Sequence, residues 1–130
     1  MIRPTCDVDE VHQLLDLSVI LTVSSPDDAA VLNGIATQRK QRIRAHVEID
    51  TGMGRYGFLP SELDKLIHLY SYMDGLELCG IYTHFHSAFC NKKATDLQMV
   101  AFRSVIRQLQ EKGFDVGVCH CCNSAGLLRF

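Results

Sequence analysis

No stretch of this sequence holds the ~20 consecutive apolar residues that a membrane span requires. Its start, Met1-Ile2-Arg3-Pro4-Thr5-Cys6, lacks the apolar core of a secretory leader. An excess of one charge is also missing: 13 Lys and Arg stand against 15 Asp and Glu, for a net charge of −2. With neither end nor any segment strongly basic, a nucleic-acid or membrane-surface partner is not expected. Low-complexity segments and domain linkers are absent as well. What is present is 130 residues, 47% of them apolar, enough for one domain with a real core. Six cysteines occur, but a chain of this length does not need staples. Cys79, Cys119 and Cys121 fall in strands expected to be buried, so reduced thiols in a cytoplasmic protein are the expectation.

Helical and extended patterns alternate along the chain. Asp7 is placed to cap a first helix, with Glu10 three residues on and Val11, Leu14 and Leu15 at helical spacing. Residues 18–23 read as a short apolar strand. Ser25-Pro26-Asp27-Asp28 is the clearest helix start: a cap, a proline at the first helical position, and two acids at the positive end of the dipole. That helix is expected to turn Ala30, Val31, Ile35 and Ala36 inward and to end near Arg39. A strand over 43–49 and a glycine-rich loop follow. Pro60-Ser61-Glu62 opens a helix with Leu63, Leu66, Ile67 and Tyr70 inside, and a strand runs over 76–82. After a polar loop over 83–93, Thr95-Asp96-Leu97-Gln98 has the form of a capping box. The helix behind it places Phe102, Val105, Ile106 and Leu109 on one face, and Gly113 suits its C-terminus. A last strand over 116–121 leads to Asn123-Ser124 and the first turn of another helix.

Continuously apolar strands between amphipathic helices predict an α/β fold with a parallel sheet. Either an open doubly wound sheet or part of a (β/α)8 barrel fits. A whole barrel needs ~250 residues, so about four consecutive βα units of one are expected, over residues 1–130, from a chain cut at both ends.

Function in such folds gathers at the carboxyl ends of the strands, and three of these ends are polar: 50–55, Thr83-His84-Phe85-His86-Ser87, and His120 with Asn123-Ser124. Arg55 offers a planar fork of donors for a carboxylate or phosphate; alternatively it is a loop arginine paired with a surface acid. Alternation puts His46, Glu48 and Asp50 on one face of their strand, and a carboxylate facing a barrel interior requires a cation, for which Arg55 is the candidate. His84 and His86 form an H-x-H pair that can bind a metal or can place one ring in a cleft and the other in solvent. Cys119-His120-Cys121-Cys122 splits between two faces, which argues against zinc. Ser124 at a helix start is either a phosphate site or a simple cap.

Glu48-Ile49-Asp50-Thr51-Gly52-Met53-Gly54-Arg55-Tyr56-Gly57 resembles the D-T-G-M-G-R-x-G signature of alanine racemases. Gly80-Ile81-Tyr82-Thr83-His84-Phe85 and His120-Cys121-Cys122-Asn123-Ser124-Ala125 are similar to two later motifs of that family, in the family's order. Residues 18–33 resemble the preceding strand and helix. The resemblance implies a (β/α)8 barrel holding pyridoxal 5'-phosphate, a second, β-rich domain, and an active site completed across a homodimer. It implies L-alanine and D-alanine as substrates, for supply of peptidoglycan precursors. Arg55 would correspond to the arginine that binds the substrate carboxylate near the cofactor's phenolic oxygen, and His84 to the histidine against the pyridine ring. Ser124 would contact the phosphate, Asn123 would support that turn, and His120 would support an arginine outside this chain.

Glu48 departs from the pattern, standing where many members carry a lysine, often carbamylated; a carboxylate supplies Arg55 with the same charge. The Schiff-base lysine of the family belongs to the first barrel strand, and this chain is expected to begin after the third. The acid/base tyrosine belongs to the second domain. Lys92 and Lys93 match no catalytic motif. The expectation is an internal fragment of a racemase, inactive and poorly soluble alone. Rival readings are a related barrel enzyme using the same cofactor, either a racemase of other amino acids or a D-amino-acid aldolase, and a metal-dependent barrel hydrolase using His84 and His86.

Overall fold

The computed structural model describes residues 3–129. Five helices alternate with four strands: α1 (Val8–Asp16), β1 (Leu21–Val23), α2 (Pro26–Arg39), β2 (Ile43–Ile49), α3 (Leu63–Tyr72), β3 (Leu76–Thr83), α4 (Lys92–Glu111), β4 (Val118–His120) and α5 (Ser124–Arg129). The strands form one parallel sheet in the order β1-β2-β3-β4, so spatial and chain order coincide. A doubly wound sheet would reverse its strand order partway and carry helices on both faces. Here the helices collect on one face. Val11, Leu32, Ile35, Leu66, Leu69, Phe102, Val105 and Leu109 pack there against Leu21, Val23, Ala45, Val47, Ile49 and Ile81. The other face carries Thr22, His46, Glu48, Tyr82 and His120. An apolar outer layer and a polar inner face describe an arc of a (β/α)8 barrel.

The helix ends show which local signals prevailed. Asp7 accepts from the Glu10 amide at 2.8 Å and Ser25 accepts from the Asp28 amide at 3.1 Å, as their spacing predicts. Gly113 follows α4 with φ +88°. The Thr95–Gln98 capping box is not a cap. Asn91 caps α4 through its bond from the Ala94 amide (3.0 Å), and Thr95, one turn inside, donates back to the Asn91 carbonyl. Thr95 and Gln98 are both buried. Pro60-Ser61-Glu62 forms a turn ahead of α3 and not its first turn; Glu62 Oε2 accepts the Leu59 amide, and α3 begins at Leu63 without a side-chain cap.

Three expectations about burial and extent are corrected. The strand expected from residue 18 is confined to Leu21–Val23, because Ser18 sits at φ +56° in the turn that closes α1. The buried face of α2 is Ala29, Leu32, Ile35 and Ala36, with Ala30 exposed and Val31 only partly covered. Asp28 sets that rotation: its carboxylate is drawn inward by the Ser24 amide and hydroxyl (2.9 and 2.6 Å) and the Cys6 thiol (2.9 Å). The last strand is only Val118–His120, and all of it is exposed because it pairs on one side alone. Cys119 is therefore exposed, and Cys79 and Cys121 only partly covered; all six cysteines are free thiols.

Candidate active site at the strand ends

β2 delivers Glu48 and Asp50 to the polar face and then must turn. Asp50 Oδ1 accepts the amides of Gly52 (2.9 Å) and Gly54 (3.0 Å), folding the chain over its own side chain. The loop closes where the Phe58 amide donates to the Glu48 carbonyl and the Asp50 amide to the Phe58 carbonyl, both at 2.9 Å. Gly57 lies between them at φ +114°, and a Cβ there would stand 2.6 Å from the Asp50 nitrogen. Only glycine fits. This loop holds Arg55 above the sheet.

Glu48 is buried, 2% exposed, and Arg55 Nη2 approaches its Oε1 at 3.9 Å. Glu48 Oε2 is buried without a hydrogen-bond partner. Burial pushes the Glu48 carboxyl above the usual carboxylate range, while the Tyr82 hydroxyl and the Arg55 charge pull it back. The cation expected opposite a buried carboxylate is thus Arg55, and the surface-acid alternative falls away.

His84 follows β3 and is partly buried; burial, and then the Arg55 charge, lower its pKa. His86 is exposed, and among the described residues no three potential ligand groups converge on a metal-sized space. On the inner face the Tyr82 and His120 rings stack with centroids 4.9 Å apart and planes 7° from parallel. His120 Nε2 lies 2.9 Å from His46 Nδ1. His46 has room for its ring only because residue 80 is glycine, where a Cβ would stand 2.5 Å from Nε2.

Asn123 ties the last strand end down twice. Its Oδ1 accepts the Gly126 amide at 2.9 Å, capping α5, and its Nδ2 donates to the Phe85 carbonyl at 3.1 Å. Ser124 begins α5 and is exposed. A cleft of about 400 Å³ lies between β3 and β4, lined by Tyr82, Thr83, His84, His120 and residues 121–124. An apolar depression of about 240 Å³ between α2 and α3, walled by Ala29, Phe58, Leu69 and Met73, is on the helix side of the sheet, away from this polar face.

The six residues singled out from sequence thus gather at neighbouring strand ends. Two others escaped notice. Tyr82 reads in sequence as one more apolar strand residue, yet its hydroxyl meets Thr22 at 3.2 Å and its ring supports His120. Gln98 reads as part of a cap, yet it is buried and bonds to both loops. Its signal was register: 98 lies in line with the buried positions 102, 105 and 109 of the same helix.

Burial lowers the pKa of His46, His84 and His120 alike, with His120 adding to the effect at His46. Below about 6.5 the unfolded chain then binds more protons than the folded one. Folding stability is expected to hold above that pH and to fall as pH drops towards the folded-state values. Glu48 acts in the opposite sense, over a window opening at its ordinary value of 4.5. Urea midpoints between pH 7.5 and 5.5 check this, and His46→Gln should flatten the decline.

The family model for the alanine racemase N-terminal domain matches residues 1–130. An alanine racemase of Desulforamulus reducens is 38% identical over 125 residues, covering 94% of this chain and 34% of that protein. The solved alanine racemase of Clostridium difficile 630 superposes with a TM-score of 0.85 at 29% identity, covering 92% of this chain and 33% of that one. The alanine racemase of Bacillus anthracis, solved with bound L-Ala-P, superposes with a TM-score of 0.81 at 29% identity, over 98% of this chain and 33% of that one. The chain spans about a third of the length of these relatives, and the family is pyridoxal-phosphate dependent. With these motifs, this sheet order and a match along its whole length, the chain belongs to the alanine racemase family, as part of its N-terminal barrel domain.

Proposed function

We propose that residues 1–130 are part of the barrel domain of a cytoplasmic, homodimeric racemase that interconverts L-alanine and D-alanine for peptidoglycan precursors. The supporting observation is the grouping of the buried Glu48 with its partner Arg55, His84 and the Asn123–Ser124 turn at adjacent strand ends. The residues fit pyridoxal phosphate. The cleft beside them falls within the ~300–1,000 Å³ of small-molecule pockets, with flat rings on one side and a helix start on the other. Ser124 would hold the phosphate through its hydroxyl and the free amides of the helix start. Asn123, already engaged by Gly126 and Phe85, would fix the shape of that turn. His84 would lie against the ring, and a neutral imidazole suits that position.

What bound pyridoxal phosphate supplies is an electron sink that makes the α-proton of an amino acid acidic. The part left to this chain is orientation. Arg55, held by Glu48, would bind the substrate carboxylate and fix the direction of the α-hydrogen. The two bases that remove and return the proton are proposed to lie outside this chain, on a lysine of another strand and a tyrosine of a second domain. The isolated chain is accordingly proposed to be inactive.

The test is racemisation by the purified full-length protein. Conversion of L-alanine to D-alanine, with a visible-edge absorbance band once cofactor is added, is the expected result. Cofactor-loaded protein that leaves alanine unchanged would overturn the reading; a strict divalent-metal requirement would favour the aldolase.

A further inference from the structure

Gln98 lies on α4, outside every motif that carries the proposed function, and it is 2% exposed. A buried primary amide must find partners for two donors and an acceptor. Its partners come from two different loops. Nε2 donates to Thr51 Oγ1 at 3.0 Å and to the His84 carbonyl at 3.1 Å, and Oε1 accepts the His86 amide at 3.2 Å. The His84 carbonyl can only accept and the His86 amide can only donate, so the sense of the Gln98 amide is fixed. Thr51 extends the link to the sheet, with its hydroxyl 2.7 Å from that of Thr83. Gly52 packs against the same side chain; a Cβ there would stand 3.7 Å from Gln98 Cγ.

These bonds join the loop that presents Arg55 to the loop that presents His84. Asp50 and Gly57 fix the shape of the Arg55 loop, and Asn123 bonds the Phe85 carbonyl in the other, but none of them sets the distance between the two. We propose that Gln98 is a positioning residue, a latch that holds the Arg55 loop in register with His84 and so sets the spacing of substrate-carboxylate and cofactor-ring contacts. The consequence for catalysis rests on the racemase reading above; the latch itself does not. No other single side chain among the described residues bonds to both loops.

Three substitutions separate the latch from a merely structural glutamine. Gln98→Leu keeps much of the volume and removes all three bonds. Thr51→Val removes the Gln98 link to the Arg55 loop together with the Thr51–Thr83 hydroxyl bond, and Thr83→Val removes that hydroxyl bond alone. In cofactor-free full-length protein, Gln98→Leu is expected to speed amide hydrogen exchange at least tenfold over both 51–55 and 84–86. Thr51→Val is expected to do so over 51–55 alone. With cofactor bound, kcat is expected to fall about 100-fold in Gln98→Leu, since a misplacement near 1 Å costs about that much. The double variant is expected to be no worse than Gln98→Leu. Unchanged exchange in both loops of a folded Gln98→Leu protein would overturn the proposal. If that variant does not fold, Thr51→Val against Thr83→Val decides it: exchange over 51–55 no faster in Thr51→Val than in Thr83→Val overturns the latch, and faster exchange there in Thr51→Val supports it. A wild-type protein inactive on alanine, with these exchange patterns intact, would overturn the racemase reading and leave the latch standing.

Discussion

Replacing Arg55 by alanine in the full-length protein is expected to lower kcat/KM for alanine racemisation by roughly 10²–10³-fold, the usual consequence of losing one aimed donor in a water-poor site. The same change should also destabilise the fold. Glu48 is buried, with one oxygen lacking a hydrogen bond and the other 3.9 Å from Arg55, its only cation among the described residues; the Tyr82 hydroxyl also eases the carboxylate. Removing the cation leaves that buried carboxylate without its counter-charge. Arg55 is itself 37% exposed and 3.9 Å away, so solvent screens the pair. A loss of about 1–2 kcal/mol is expected in place of the larger cost of breaking a fully buried pair. The double variant Arg55→Ala/Glu48→Gln removes the stranded charge as well. Its urea midpoint should recover most of the loss while its turnover does not. If both recover, Arg55 serves stability alone. Arg55→Lys should give an intermediate turnover, keeping the charge and losing the fork.

Gly57→Ala is expected to be severely damaging for the addition of one methyl group. Two terms add at that position. The backbone at φ +114° lies where L side chains rarely go, a cost of order 1–3 kcal/mol. The new Cβ would also stand 2.6 Å from the Asp50 nitrogen and 2.9 Å from the Glu48 oxygen, both of which are backbone and cannot swing aside. Relief must come from opening the Glu48–Phe58 and Asp50–Phe58 hydrogen bonds that close the loop. A total loss of about 3 kcal/mol or more is expected, at the severe end for a point substitution. Urea unfolding of cofactor-free full-length protein measures it. Gly54→Ala is the comparison, since a Cβ there has open space around it despite a positive φ of 69°. Its loss should be well below that of Gly57→Ala.

The alternation of strands and helices was legible because the two periods differ so plainly: Ile43–Ile49 is extended and half apolar on one face, while Phe102, Val105 and Leu109 repeat at helical spacing. Where the reading failed, two local signals competed. Thr95 and Gln98 have the spacing of a capping box, but Asn91 offers a better oxygen one turn earlier, and tertiary burial of Thr95 and Gln98 rewards the longer helix. The rotation of α2 was hidden for a similar reason. Hydrophobic spacing alone could not register that Asp28 points inward to Ser24 and Cys6. The site's linear motifs were visible because each sits on one loop. The Gln98 contacts and the Tyr82–His120 stack join residues far apart in sequence, and no local pattern encodes them.

The pairing of β2 with β3 passes from Ala45↔Leu78 directly to His46↔Gly80, leaving Cys79 opposite nothing. That skipped residue changes the parity of the strand. Before it, the even positions Leu76 and Leu78 face the helices; after it, the odd position Ile81 does, and Tyr82 turns to the polar face to stack on His120. Cys79 therefore matters as a spacer more than as a thiol. Exchanging it for serine or valine changes one side chain, but deleting it would turn the strand inside out, sending Tyr82 into the apolar layer and Ile81 towards the cleft. The number of residues between Leu78 and Gly80, more than the identity of residue 79, decides which side chains line the cleft.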